Sequence, residues 1–191
     1  MNQLSPHKAT PTFIYIIDDV LSSNICEATR AYMDVKCIQD EKETNPTTNV
    51  SSKKYIIFHD RDPELYDIVS QAINEKIVEK FKTFTMTSTD SLCLRKVYGR
   101  TRLHADNPNP FINREDIKTI SVDSLRTLSV IIALNDDYDG GEFVFPSQEI
   151  IVKLKKGQAI AFPPYWTHPH KVAAPSNGTF RYTINTWIYG K

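Results

Sequence analysis

Two helical segments followed by a series of short, turn-punctuated strands predict an α+β, mainly β fold, an antiparallel jelly roll with supporting N-terminal helices. From Ser91 onward, strand-like stretches at 91–98, 125–135, 141–145, 149–155, 157–162, 170–174 and 181–189 are divided by Asp139-Gly140-Gly141, Lys155-Lys156-Gly157 and Ser176-Asn177-Gly178. Turns this tight join antiparallel neighbours, whereas parallel strands need long crossovers. Before Ser91 the apolar residues recur at helical spacing instead.

Residues 12–21 (Thr-Phe-Ile-Tyr-Ile-Ile-Asp-Asp-Val-Leu) read as an opening strand, and Ser22 or Ser23 caps a helix to about Val35. Residues 38–54, rich in Thr, Asn, Ser, Lys and Glu, predict a long polar loop. The second helix is signalled by Asp62-Pro63-Glu64, an N-cap, a proline at the first helical position and an early acid. Leu65, Ile68, Val69, Ile73, Ile77, Val78 and Phe81 then form a stripe that packs on a sheet. Residues 107–124, opening with Asn-Pro-Asn-Pro, make a long connection suited to a lid or substrate loop. The chain contains no internal repeat. It is expected to be one domain over 1–191, with a strand and supporting helices in 1–90 and the jelly-roll core in 91–191.

Lys plus Arg number 23 and Asp plus Glu number 23, so there is no basic excess of the kind that binds nucleic acid or anionic membranes. Cys26, Cys37 and Cys93 are odd in number and widely spaced, which fits reduced thiols and a cytoplasmic location. The first residues carry no signal-like apolar run, and no stretch approaches the ~20 apolar residues of a membrane span.

The chemistry concentrates in His104-Ala105-Asp106, His170 and Arg181. Two imidazoles and one carboxylate can occupy one face of an iron(II) ion and leave the other open to reagents. His104 and Asp106 flank one residue, so on an extended segment both side chains point the same way. Trp166-Thr167-His168-Pro169-His170 offers two candidates for the third ligand. Ten residues separate His170 from Arg181, which returns past a turn on a strand and can pair bidentately with a carboxylate. Thr183 and Asn185 share its alternation. Arg95, Lys96, Arg100 and Arg102 form a local basic cluster, read as a solvated strand face or as a rim steering an acidic peptide. His7 and His59 read as surface residues.

His-x-Asp, Leu134-Asn135, the Gly-Gly-Glu-Phe-Val-Phe-Pro run at 140–146, Lys156-Gly157-Gln158-Ala159-Ile160-Ala161-Phe162, and His170-x-Val172 followed by Gly178, Arg181 and Trp187 resemble the prolyl 4-hydroxylase-like branch of the iron(II)/2-oxoglutarate-dependent dioxygenases. The resemblance covers most of 91–189, and the opening segment around Phe13–Leu21 is also similar. It implies a double-stranded β-helix, with His104, Asp106 and His170 as iron(II) ligands and catalytic centre. It selects His170 over His168 by the spacing to Val172 and Arg181. It further implies that Arg181 holds the far carboxylate of 2-oxoglutarate, with Tyr98 and Thr183 near the co-substrate. In two places the chain departs from the pattern: Gly141-Glu142 is followed by Phe143 instead of Thr, and Ala133 stands where a tyrosine is common.

By that resemblance the chain hydroxylates a substrate C–H bond, foremost a proline in a peptide or protein, converting 2-oxoglutarate and O2 to succinate and CO2 with ascorbate in support. The alternatives are the same chemistry on a free amino acid, small molecule or other protein side chain, and a non-catalytic jelly-roll binding protein. A related halogenase would lack the carboxylate of Asp106. Neither nucleic acid nor membrane is expected as a partner.

Overall fold

The computed structural model describes residues 12–36, 43–44, 51–57, 59–81, 86–89, 91–106 and 126–190. In chain order its strands are β1 (Tyr15–Ile17), β2 (Glu43–Thr44), β3 (Ser51–Ile57), β4 (Met86–Thr89), β5 (Leu92–Val97), β6 (Arg126–Ala133), β7 (Asp139–Gly140), β8 (Phe143–Phe145), β9 (Ile150–Val152), β10 (Ala159–Phe162), β11 (Lys171–Val172), β12 (Pro175–Ser176) and β13 (Arg181–Gly190). The helices are α1 (Ser23–Lys36) and α2 (Pro63–Lys76).

The major sheet runs β1-β10-β6-β13-β5-β3-β2, with β4 pairing the far end of β13. The opposing sheet is β11-β8-β9, and β12 pairs β7. Every paired strand is antiparallel, as the short turns predict. Gly157 shows why one turn needs glycine. Its φ is +82°, and a Cβ there would lie 2.5 Å from the Leu21 carbonyl oxygen. The carbonyl of Gly157 in turn accepts from the amides of Val20 and Leu21, stitching the chain's opening to the sheet.

Strand alternation divides the core in two. Leu92, Leu94, Leu128, Val130, Ile132, Ala159, Ala161, Tyr182, Ile184 and Ile188 face the helices, where they meet Cys26, Met33, Val69, Ile73 and Ile77. Ile131, Ala133, Ile160 and Phe162 face the opposing sheet and pack on Phe143, Phe145, Leu154 and Val172. Met33 is wholly buried in the first cluster. Met33→Ala is expected to cost about 2–5 kcal/mol of stability, read as a lower urea midpoint at unchanged slope.

The helices form where the capping signals place them, and the departures lie in α2 and the stripe that continues it. Ser22, not Ser23, caps α1, its Oγ accepting from the Ile25 amide at 3.4 Å. Asp62 sits at the N-cap of α2 without capping it. Its carboxylate instead accepts from the hydroxyls of Tyr32 and Tyr55, tying α2 to α1 and β3. The stripe expected through Phe81 leaves α-helix after Lys76 and finishes as a 3-10 turn at Val78–Phe81. Ile68, placed in that stripe, is 39% exposed.

The polar loop expected over 38–54 needs correction. Glu43–Thr44 and Ser51–Ile57 are strands, because β3 finds β5 as a neighbour and β2 then adds to β3. The rest of 38–50 and all of 107–124 lie outside the described residues. The major sheet thus draws β1 to β4 from the segment assigned to supporting elements. The basic cluster also divides. Lys96 pairs with Asp34 at 2.8 Å on the helix face, while Arg95, one residue earlier, points to the other face.

Candidate metal centre

A backbone bridge aligns the two histidines. The His104 amide donates to the His170 carbonyl at 3.0 Å, and the His170 amide returns a bond of 2.8 Å. Thr101 extends the alignment, its amide donating to the Val172 carbonyl and its Oγ1 accepting from the Val172 amide. The segment before the first ligand is thereby zipped to β11. His104 Nε2 lies 3.3 Å from Asp106 Oδ1, and His170 Nε2 lies 3.7 Å from the same oxygen. One ligand atom from each residue falls within 4.8 Å of the others.

Each of the three is held by its remaining polar atom. His104 Nδ1 lies 2.8 Å from the Arg102 carbonyl and His170 Nδ1 lies 3.2 Å from the His168 carbonyl. A carbonyl can only accept, so both rings carry the proton on Nδ1 and present an Nε2 lone pair to the centre. Ser129, on the inner face of β6, donates to Asp106 Oδ2 at 2.7 Å and leaves Oδ1 turned toward the histidines. Arg126 donates to the Asp106 carbonyl at 3.0 Å and lies over the Trp187 ring at 3.9 Å. Phe145 and Phe162 pack on the His170 ring at 5.3 and 4.8 Å between centroids, an apolar wall that keeps water from one side of the site.

The electrostatics follow from burial and proximity. Burial pushes the Asp106 carboxyl up, but hydrogen bonds and charge from His104, His170 and Ser129 outweigh it and hold the group well below the usual carboxylate range. Burial dominates at His170 and lowers its pKa, so the ring is a neutral donor near neutrality. At His104 burial is outweighed by Asp106 and the Arg102 carbonyl, and the pKa rises. Two nitrogens and one carboxylate oxygen converging in this way fit iron(II). Ser129→Ala is expected to weaken iron(II) binding about 10–100-fold, measured by metal titration, with the melting curve unchanged.

Arg181 begins β13, paired in register with Val97. It is 5% exposed, yet Nε and Nη1 find no hydrogen-bond partner among the described residues. Burial pulls its pKa down to about 10, which leaves it a cation at neutral pH. A buried guanidinium with donors to spare fits a carboxylate ligand. Thr183 and Asn185 follow on the same face, where Thr183 Oγ1 donates to Asn185 Oδ1 at 2.7 Å. Tyr98 directly follows Val97, and burial raises its pKa. His168 is spoken for on both sides, Nδ1 by Thr167 Oγ1 and Nε2 by the Thr12 carbonyl, each at 2.9 Å.

The structure adds residues that motif reading passed over, Ser129 and Arg126 against Asp106 and Thr101 at the bridge, and it sets Arg95 of the basic cluster where its charge is felt by both His104 and Arg181. Position relative to the His-x-Asp motif could not find Ser129, since 22 residues of sequence separate it from Asp106.

The profile of the 2OG-Fe(II) oxygenase superfamily matches residues 94–189, half of the chain. The chain belongs to that superfamily. All three residues of the metal centre and Arg181 of this oxygenase lie inside the matched span. In an alignment of 142 positions that covers 64% of this chain, the oxygenase is 30% identical to prolyl 3-hydroxylase 2 of Mus musculus and 29% identical to that of Homo sapiens. It spans about a fifth (20%) of the length of these curated relatives. Among solved structures it resembles the viral collagen prolyl hydroxylase of Paramecium Bursaria Chlorella virus-1 in its 2OG complex, with a TM-score of 0.71, 18% identity, and coverage of 94% of this chain and 96% of that one. A prolyl hydroxylase of Trichoplax adhaerens, solved with a hypoxia inducible factor oxygen degradation domain peptide fragment, gives a TM-score of 0.70 at 18% identity, covering 94% and 84%. The Pseudomonas putida prolyl-4-hydroxylase gives 0.65 at 16%, covering 94% and 93%. At these identities the likeness is one of fold, and it makes the sandwich a double-stranded β-helix.

Proposed function

We propose that this oxygenase hydroxylates proline in a peptide or protein, with 2-oxoglutarate and O2 consumed and succinate and CO2 released. The observation that carries the reading is the convergence of His104, Asp106 and His170 on one point, in a sandwich whose major sheet carries a buried Arg181 with Nε and Nη1 unpartnered among the described residues. Iron(II) and 2-oxoglutarate, when bound, would activate O2, the oxidant that turns a substrate C–H into C–OH.

The chain's own part is binding, orientation and exclusion of water. His104 and His170 offer Nε2, and Asp106 offers Oδ1 as an anion that offsets part of the metal's charge. Arg181 takes the far carboxylate of 2-oxoglutarate, and Tyr98 and Thr183 line the same region. The Phe145 and Phe162 wall keeps the centre dry. Proline as target is supported by the likeness to prolyl 3-hydroxylase 2 and by a peptide-bound structural neighbour. The same proposal includes ascorbate as a reductant that maintains iron(II). It also includes a cytoplasmic setting, supported by the free thiols of Cys26 and Cys93.

The test incubates the protein with iron(II), ascorbate and 2-oxoglutarate, with and without proline-rich peptides, and measures succinate and peptide mass. A gain of one oxygen in step with succinate supports the reading, and separation of hydroxyproline isomers then distinguishes position 3 from position 4. Succinate without peptide oxidation moves the substrate to a free amino acid, small molecule or other side chain. Absence of succinate under every condition overturns the reading.

A further inference from the structure

We propose that Tyr138 binds the co-substrate: its phenol donates to the distal carboxylate of 2-oxoglutarate beside Arg181, and so selects a 2-oxo acid that bears a second carboxylate. The inference rests on the function proposed above.

Tyr138 lies in the connection between β6 and β7, outside every motif in the chain. Only 3% of it is exposed, and its hydroxyl finds no hydrogen-bond partner among the described residues. Arg181 is in the same position, with 5% exposure and two unpaired donors. Buried polar groups are nearly always paired, so two unpaired ones side by side mark a place built for a ligand. They are side by side. A Cβ added at Gly141 would lie 2.7 Å from Tyr138 Cε2 and 3.7 Å from Arg181 Cδ, so this one residue touches both side chains. The Phe143 ring forms the floor, 4.9 Å from the guanidinium carbon.

The phenol is held in place. Lys153 donates Nζ to the Tyr138 carbonyl and sits 4.6 Å from the centre of its ring. Burial raises the pKa of Tyr138, which keeps the phenol a protonated donor at neutral pH. A phenol and a guanidinium set side by side, each with donors unpartnered among the described residues, match a carboxylate, and a ligand with a methyl in its place would leave these buried donors unpaired.

The test titrates iron(II)-loaded protein under nitrogen with 2-oxoglutarate and with 2-oxovalerate, which replaces the distal carboxylate by a methyl. Tyr138→Phe is expected to weaken 2-oxoglutarate about tenfold, to leave 2-oxovalerate unchanged, and to melt no lower than the parent. Unchanged 2-oxoglutarate affinity in a variant of a parent that binds it overturns the role of Tyr138 while the proposed function stands. Equal weakening of both ligands also overturns it, since that pattern belongs to a packing role. A parent that does not bind 2-oxoglutarate overturns both.

Discussion

Asp106→Ala is expected to abolish iron-dependent succinate formation and to weaken iron(II) binding by more than the ~10–100-fold that loss of an outer partner costs. Among the described residues the carboxylate is the one anion of the centre, lying 3.3 Å from one imidazole and 3.7 Å from the other. Without it, two neutral nitrogens face a divalent ion with nothing to offset its charge. The bridge between His104 and His170 does not involve the Asp106 side chain, so the fold should survive. Circular dichroism and melting unchanged beside a lost metal titration is the expected pair of results. Parent-like succinate production would remove Asp106 from the centre.

Arg181→Met should separate binding from stability in the opposite direction. Truncating one member of a buried, hydrogen-bonded charge pair costs about 2–5 kcal/mol, which is roughly 30- to 4,000-fold in 2-oxoglutarate affinity. The ligand-free fold should not suffer. Burying this cation already lowers its pKa to about 10, and an apolar side chain of similar length removes that penalty. Melting of the ligand-free variant at or above the parent, with the thermal shift on adding 2-oxoglutarate lost, is the expected outcome. A retained shift would show that another cation takes the far carboxylate.

Much of this site was legible because its residues sit in short, ordered motifs. His104-Ala105-Asp106 is local, and His170 and Arg181 are joined by a single turn, so spacing was informative. Strands with strong alternation, such as 91–98 and 181–189, were read close to β5 and β13. β3 was missed at its polar end because Ser51-Ser52-Lys53-Lys54 has loop composition, and only pairing with β5 makes it a strand. Tyr55-Ile56-Ile57 was the available signal. The two-residue strands β7 and β12 are too short for any periodicity. Tyr138 could not be singled out, since its meaning depends on Gly141 and Arg181 meeting it in space. A single solvated face for the basic cluster does not hold, because alternation sends Arg95 and Lys96 to opposite faces.

The mutual amide bonds between His104 and His170 belong to the main chain, and every amino acid except proline can make them. Shape at this centre is therefore inherited separately from chemistry. A lineage could exchange either imidazole for a thiol, a carboxylate or an inert methyl without dismantling the frame around it. New metals, or none, lie within a few codon changes of the present chain.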